Sequence, residues 1–375
     1  MKILIFNWRS IKDKFEGGAE RATFEFAKSW IKKYDAEIFW ISPPYDEKVK
    51  EETIEGVKFI YVGKPLTRNI FELLYLFPLF YINVIKTYLT RFKGKIDIVM
   101  DQVHGVPYLT PFYVKETKVI YIHEVAGNIW NIMYPFPINL LGRLLERLLF
   151  VPYRIKNIKF IANSPSTRTD LIDKVGINPN NIKIVNYGLS APDQPDIKPK
   201  EEQLTVVYLN RIVKMKGIER GIKAFSKVVS QRPEAKLWII GTGEPDFVSH
   251  LKNLVDELGI ANSVEFLGFR DGKEKFDLLS RAHVLMNPSY LEGWGLVNLE
   301  ANRMETPAVV FKVRGCVDSV ADNLSGYICE DDNLDEMAEK LILAAENEQL
   351  RKTAFNHSLK YSWDKQGDIF YLNLK

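Results

Sequence analysis

Three short stretches combine residue types that suit an anionic, hydroxyl-rich ligand. The first, Asn210-Arg211-Ile212-Val213-Lys214-Met215-Lys216-Gly217, sets a guanidinium and an ammonium five positions apart. Arg offers phosphate oxygens a fork of donors and Lys a compact point charge, so the pair suits a diphosphate. Taken singly, the same residues also make an ordinary solvated basic loop. The second, Ser289-Tyr290-Leu291-Glu292-Gly293-Trp294-Gly295-Leu296-Val297-Asn298-Leu299-Glu300, leaves the backbone open at Gly293 and Gly295. A helix starting near Gly295 turns its positive end toward a ligand there. Glu300, about one and a half turns into that helix, then reaches hydroxyls lying over the first turn. Either glutamate alone also reads as a plain surface or helix-end carboxylate. The third stretch is Glu16-Gly17-Gly18-Ala19-Glu20-Arg21. Paired glycines before a helix present N–H groups to an anion, or simply connect strand to helix. The G-x-G-x-x-G spacing is missing, which counts against an ordinary NAD enzyme.

Two histidines end apolar runs: His123 after Val119-Ile120-Tyr121-Ile122, with Glu124 and Gly127 beyond it, and His104 in Asp101-Gln102-Val103-His104-Gly105. A histidine at a strand end is often structural. The edge where ligands of open parallel sheets bind favours a ligand role for His123, and more weakly for His104.

The elements that must position these residues follow an α/β rhythm, short β-rich runs alternating with segments of helical period. Strands are expected at 2–6, 38–41, 57–62, 96–100, 119–122, 160–162 and 182–185, and again at 204–209, 236–240, 264–267, 284–286 and 308–311. Between the two sets, Ser190 to Gln203 (SAPDQPDIKPKEEQ) has the composition of an exposed linker. Two doubly wound domains are expected, 1–192 and 200–362, with 363–375 returning to the first.

The 375 residues carry 51 Lys+Arg against 48 Asp+Glu, a formal charge of +3, with 46% hydrophobic residues. That is a globular composition, neither a disordered tail nor a basic nucleic-acid arm. Two cysteines, Cys316 and Cys329, match no metal-ligand spacing and are too few for a disulfide framework, so a reducing cytosol is the default compartment. The start MKILIFN falls short of a signal peptide, and Leu73 to Ile82 falls short of the about 20 apolar residues of a membrane span.

In this order and spacing the stretches resemble the glycosyltransferases of family 4, from the GGAER segment through R-x4-K and E-x7-E to Ser362-Trp363, where that family's last helix opens. The resemblance implies the GT-B fold, two Rossmann-like domains facing each other across a nucleotide-sugar cleft. It implies transfer of a hexose-type sugar from a nucleotide diphosphate sugar, UDP- or GDP-linked, with retention and without a metal or other cofactor. Arg211 and Lys216 would bind the donor diphosphate and stabilise the leaving group, and Glu300 would hold the ribose. Glu292 and the backbone of Gly293, Trp294, Gly295 and Leu296 would contact the sugar. Gly17 and Gly18 would lie near the phosphate, Gly241 and Gly243 would form the G-x-G loop, and Phe269 and Arg270 would flank the base. His123 would stand beside the reacting carbon, with His104 and Glu124 on the acceptor side. The sequence departs from the family at Asn210, usually Gly, and at Arg314-Gly315 and Asp318, usually Gly-Gly and Glu, which bears on donor-sugar and base specificity. A GT-B nucleotide-sugar 2-epimerase and a non-catalytic nucleotide-sugar binding module are the rival readings. GGAER with E-x7-E weighs against the first, and the joint presence of His123, Arg211, Lys216, Glu292 and Glu300 weighs against the second.

The acceptor, a lipid-linked saccharide or other glycan, would belong to the first domain. There, Thr67 to Lys93 carries Arg68, Lys86, Arg91 and Lys93 around an apolar centre, and Asn139 to Arg154 carries a leucine stripe with Arg143 and Arg147. Both could lie peripherally on the cytosolic face of a membrane. For the second segment, packing of the stripe onto the sheet is the preferred expectation.

Overall fold

The computed structural model describes residues 1–14, 16–66, 70–104, 106–127, 130–131, 135–156, 158–192 and 194–374, without the side chains of 70–74 and His104. Arg68 therefore lies outside the described residues. The chain forms two compact units, Met1–Gly188 with Trp363–Lys375, and Leu189–Ser362.

The first unit is built on an eight-stranded sheet of order β3-β4-β2-β1-β5-β6-β7-β8. Its strands are β1 (Lys2–Phe6), β2 (Glu37–Ser42), β3 (Glu51–Ile54), β4 (Val57–Tyr61), β5 (Ile98–His104), β6 (Thr117–Glu124), β7 (Lys159–Ala162) and β8 (Ile182–Ile184). All pairings are parallel except β3 with β4. Helix α1 (Gly18–Tyr34) buries Phe24, Phe26, Ala27 and Trp30, as its period predicts. Helix α2 (Ile70–Thr87) turns Leu76, Phe80 and Val84 inward at i, i+4 spacing, and Tyr88 continues the row.

Helix α3 (Ile138–Leu149) does the reverse, burying only Gly142 and Glu146. Leu140, Leu141, Leu144, Leu145 and Leu148 are exposed by 56, 64, 52, 46 and 57%. The expectation that this stripe packs on the sheet is therefore wrong: helical period fixes one apolar face but not the direction in which it points.

The second unit holds β9 (Thr205–Leu209), β10 (Lys236–Ile240), β11 (Val264–Gly268), β12 (Val284–Asn287), β13 (Ala308–Phe311) and β14 (Gly326–Cys329). They form a parallel sheet of order β11-β10-β9-β12-β13-β14. Relabelled by appearance this is 3-2-1-4-5-6, the Rossmann order, whose reversal point lies between β9 and β12. The helices that matter below are α4 (Ile218–Gln231), α5 (Gly272–Arg281) and α6 (Leu296–Arg303).

The stretch expected to be an exposed linker keeps many exposed residues but belongs to the second unit and is tied to it. Ala191 is buried. Lys200 donates to the Ala282 carbonyl at 2.7 Å and Thr306 Oγ1 at 2.8 Å, and Glu201 accepts from Arg281 Nε at 2.6 Å. Helix α7 (Trp363–Leu374) packs on α1 within the first unit. Phe370 meets Phe26, Trp30 and Tyr121 edge-on at 5.1, 5.0 and 4.7 Å, and Trp30 Nε1 donates to the Gly367 carbonyl at 3.0 Å.

Candidate functional site

The loops after β9 and β12 leave the sheet at its reversal point, where doubly wound sheets bind their ligands. They carry the first and second stretches of the sequence. Glycine permits their close approach: at Gly217 (φ 65°) a Cβ would lie 1.8 Å from the Pro288 carbonyl oxygen. At Gly315 (φ 80°), in the loop after β13, it would lie 2.1 Å from that of Glu292. Main-chain bonds complete the seam, Tyr290 N to Met215 O at 3.0 Å and Glu292 N to Arg314 O at 3.1 Å.

Into this seam project Lys216 and Glu292, with Nζ and Oε1 2.7 Å apart and both side chains 10% exposed. The same oxygen accepts from Ser289 Oγ at 2.9 Å and Asn210 Nδ2 at 3.3 Å. Ser289 Oγ also lies 2.7 Å from Asn287 Oδ1, so its single proton is shared between the two acceptors, and the Ser289 main-chain N–H donates to the same Asn287 oxygen at 3.3 Å. Asn287 donates to Asn298 Oδ1 at 3.0 Å, and Asn298 to Ser319 Oγ at 2.9 Å. Glu292 is thus held by a continuous polar network that crosses three loops. Asn210, a departure from the resembled family, supplies one of its donors. Lys216 is no solvated loop residue: it is buried, whereas Arg211 is exposed and has no recorded ion-pair partner among the described residues.

Arg220, which the sequence reading passed over, locks the β12 loop. Its Nε and Nη2 donate to the Pro288 and Ser289 carbonyls at 2.6 Å each, Nη1 pairs with Asp331 at 2.8 Å, and its guanidinium lies 3.8 Å from the Tyr290 ring centroid. The available signal was its register on α4, in row with the buried Ala224 and Val228.

Gly295 (φ 73°) caps α6, and Leu296 opens it. Trp294 is buried, its ring 5.5 Å from that of Tyr361. Glu300 pairs with Lys275 of α5 at 2.8 Å, the side chains being 14 and 20% exposed. Lys275 was also missed, because nothing in its local sequence marks a partner 25 residues away. Gly241 and Gly243 press on the β9 loop, where a Cβ would lie 1.9 Å from the Asn210 carbonyl oxygen and 2.2 Å from that of Ile212. Phe269, 65% exposed, follows β11 beside Arg270, whose Nη1 donates to the Phe269 carbonyl at 2.8 Å. Cys316 is buried in the loop after β13, and burial pushes its thiol well above the ordinary range, which removes it as a thiolate nucleophile.

The remaining expected residues lie in the first unit. Gly18 is exposed, but the Gly17 N–H is taken by Glu20 Oε2 at 2.8 Å, so this helix start already holds a carboxylate of its own. Burial raises the Glu20 carboxyl, with Arg9 acting against the shift. His123 is 3% exposed; Nε2 lies 2.8 Å from Gln102 Nε2, and Nδ1 meets the Tyr187 hydroxyl. Glu124 ends β6, half-buried, and His104 ends β5 with its side chain outside the described residues. Among the described residues no three His, Cys, Asp or Glu side chains form a group able to hold a metal ion.

Residues 191–358, all inside the second unit, match the family Glycosyl transferases group 1. An uncharacterized glycosyltransferase of Methanocaldococcus jannaschii is 30% identical over 210 residues, covering 54% of this chain and 53% of the relative. The chain thus spans about half the length of that curated relative. Sucrose-phosphate synthase from Thermosynechococcus elongatus matches 100% of this chain and 98% of its own with a TM-score of 0.78 at 16% identity. Anabaena HepE in complex with UDP-glucose matches 100% and 99% with a TM-score of 0.72 at 18% identity. At such identities the likeness is one of fold, and that fold is the expected GT-B architecture of two Rossmann-like α/β units.

Proposed function

We propose that this protein is a retaining, metal-independent glycosyltransferase of the family 4 type. It moves a hexose-type sugar from a UDP- or GDP-linked donor to a lipid-linked saccharide or other glycan at the cytosolic face of a membrane. The observation that carries the reading is the Lys216–Glu292 pair, wired across the reversal point of a unit whose residues 191–358 match Glycosyl transferases group 1. The HepE complex with UDP-glucose supports a nucleotide sugar as donor. Neither the 2-epimerase nor the binding-module reading gains support from these likenesses.

Departure of the nucleotide diphosphate breaks the bond from the anomeric carbon to the phosphate oxygen and builds negative charge on that oxygen. Lys216, fixed and largely desolvated, and Arg211, exposed at the same loop, act where this charge develops. Glu292 and the backbone from Gly293 to Gly295 hold the sugar as its anomeric carbon becomes oxocarbenium-like. The acceptor hydroxyl attacks from the face the leaving group vacates and passes its proton to the departing phosphate oxygen. Glu300 exchanges Lys275 for the ribose hydroxyls, and Phe269 offers its exposed ring to the base. His123, its ring set by Gln102 and Tyr187, would take the place beside the reacting carbon that the family resemblance implies.

Thermal stabilisation by UDP-, GDP- and ADP-sugars, followed by turnover of the stabilising donor with glycan acceptors, tests the reading. Stabilisation by at least one, with sugar transfer abolished in Lys216→Ala, is expected. No stabilisation by any nucleotide sugar would overturn it.

A further inference from the structure

A surface helix ordinarily turns its apolar stripe to the core. Helix α3 does not, and two contacts explain how it stays in place. Glu146, 4% exposed, accepts from the main-chain N–H groups of Ala126 at 2.8 Å and Gly127 at 2.9 Å and from Trp130 Nε1 at 3.2 Å. One turn earlier, Gly142 lies on the Trp130 ring so closely that a Cβ would sit 2.4 Å from it. The helix is anchored through one carboxylate and one glycine, and its five exposed leucines leave about half of their surface in solvent.

Further exposed apolar side chains lie on and beside the helix. To the five exposed leucines add Ile138 at 37% and, from the adjoining segments, Phe136 at 78% and Ile155 at 77%. Between residues 135 and 156 the chain carries Arg143, Arg147, Arg154 and Lys156 against a single carboxylate, Glu146, which is buried. Neither Arg143 nor Arg147 has a recorded carboxylate partner among the described residues. In register, the two arginines flank one side of the leucine arc. The other apolar segment of this unit offers less: α2 spends its inner row on the core, and Arg91 is neutralised by Glu51. Among the described residues no helix is long and apolar enough to cross a membrane.

We propose that α3 is a membrane-docking helix that lies in the plane of an anionic bilayer surface, its leucines among the acyl chains and Arg143 and Arg147 at the headgroups. An unpaired cationic flank beside an apolar arc with no exposed acid matches that surface and no neutral one. This deepens the lipid-linked acceptor reading above and rests on it. The test uses neither donor nor acceptor, so its failure is distinct from a failure of the transferase reading, which turnover decides.

The full-length protein is sedimented with vesicles of phosphatidylcholine alone or mixed with phosphatidylglycerol, at low and high salt, beside Leu144→Glu/Leu148→Glu and Arg143→Gln/Arg147→Gln. Wild type should pellet with the mixed vesicles and be released by salt. The double glutamate variant should lose roughly 100-fold in partitioning, as expected for two leucines kept in water. The arginine variant should lose about fivefold per removed charge and respond less to phosphatidylglycerol. All three should melt nearly alike, since none of these side chains is buried; if the glutamate variant unfolds, the arginine variant alone carries the test. Absence of binding at low salt, binding that the variants do not reduce, or a concentration-dependent dimer dispersed by the glutamate variant without any vesicle binding would each overturn the proposal.

Discussion

Two of the second unit's lysine–glutamate pairs, both largely shielded from solvent, have nearly equal geometry: Lys216–Glu292 at 2.7 Å and Lys275–Glu300 at 2.8 Å. Their surroundings differ. On Glu292 three donors converge at one oxygen, and the network continues through Ser289, Asn287 and Asn298. Among the described residues Glu300 has only the flexible tip of Lys275. A carboxylate held by several fixed donors is a preorganised part, whereas one held by a single lysine can trade that partner for a hydroxyl. A third lysine, Lys200, is half-buried against the Ala282 carbonyl and the Thr306 hydroxyl, with no carboxylate in its hydrogen-bonding shell among the described residues. Burial pulls its ammonium down to about 7.

The largest expected effect breaks the fixed pair. Lys216→Ala should cost kcat 10² to 10³, or about 3 kcal/mol of transition-state stabilisation, with the fold intact by circular dichroism. Wild-type turnover in this variant would remove the β9 loop from the chemistry. Glu292→Gln and Glu300→Gln should then divide by role: the first lowers kcat, and the second raises the donor KM by about 10- to 100-fold, the worth of charge-assisted hydrogen bonds to an unchanging ribose. The opposite split in steady-state kinetics would exchange the two assignments.

In the first unit His123→Ala should lower kcat more than it raises the donor KM. It should also cost about 1–3 kcal/mol of stability, because Gln102 and Tyr187 lose a buried partner. Chemical denaturation beside kinetics separates the two contributions. Lys200 sharpens the comparison through pH. Between about 7 and the ordinary lysine value of 10.5 the unfolded chain binds a proton that the folded one does not. Stability should therefore rise with pH across that window, with the penalty fully present below it. Lys200→Met should flatten this rise in melts taken across the same range. The smallest effect belongs to Lys275→Met. Loss of a single partly exposed pair should shift donor KM by no more than about fivefold, and a loss as large as that of Glu300→Gln would show that Lys275 itself touches the donor.

Much of this arrangement was legible from residue order alone. The apolar runs at 2–6, 236–240 and 308–311 are strands with those bounds, and the two glycine-bearing loops lie where the chemistry was sought. Strand β3 escaped because Glu-Glu-Thr-Ile is a half-exposed antiparallel edge without an apolar run, and β14 because it is a four-residue edge opened by glycine. The partners of the key side chains were illegible for a different reason. Asn210 reaches Glu292 across 82 residues and Arg220 reaches Ser289 across 69, distances over which local pattern carries no information. The outward face of α3 was hidden because the decisive residues are the unremarkable Gly142 and Glu146 of its polar side.

Helix α7 has a further consequence for how the protein is made. The Trp30 indole finds its carbonyl partner 337 residues later in the chain, at Gly367. The first unit therefore cannot close as it leaves the ribosome. Phe26, Trp30 and Tyr121 stay uncovered while the whole second unit is translated, and the unit that begins first is completed last. A nascent chain arrested after Ser362 should present these rings to chaperones and proteases, which makes order of synthesis, as much as sequence, a determinant of its yield in the cell.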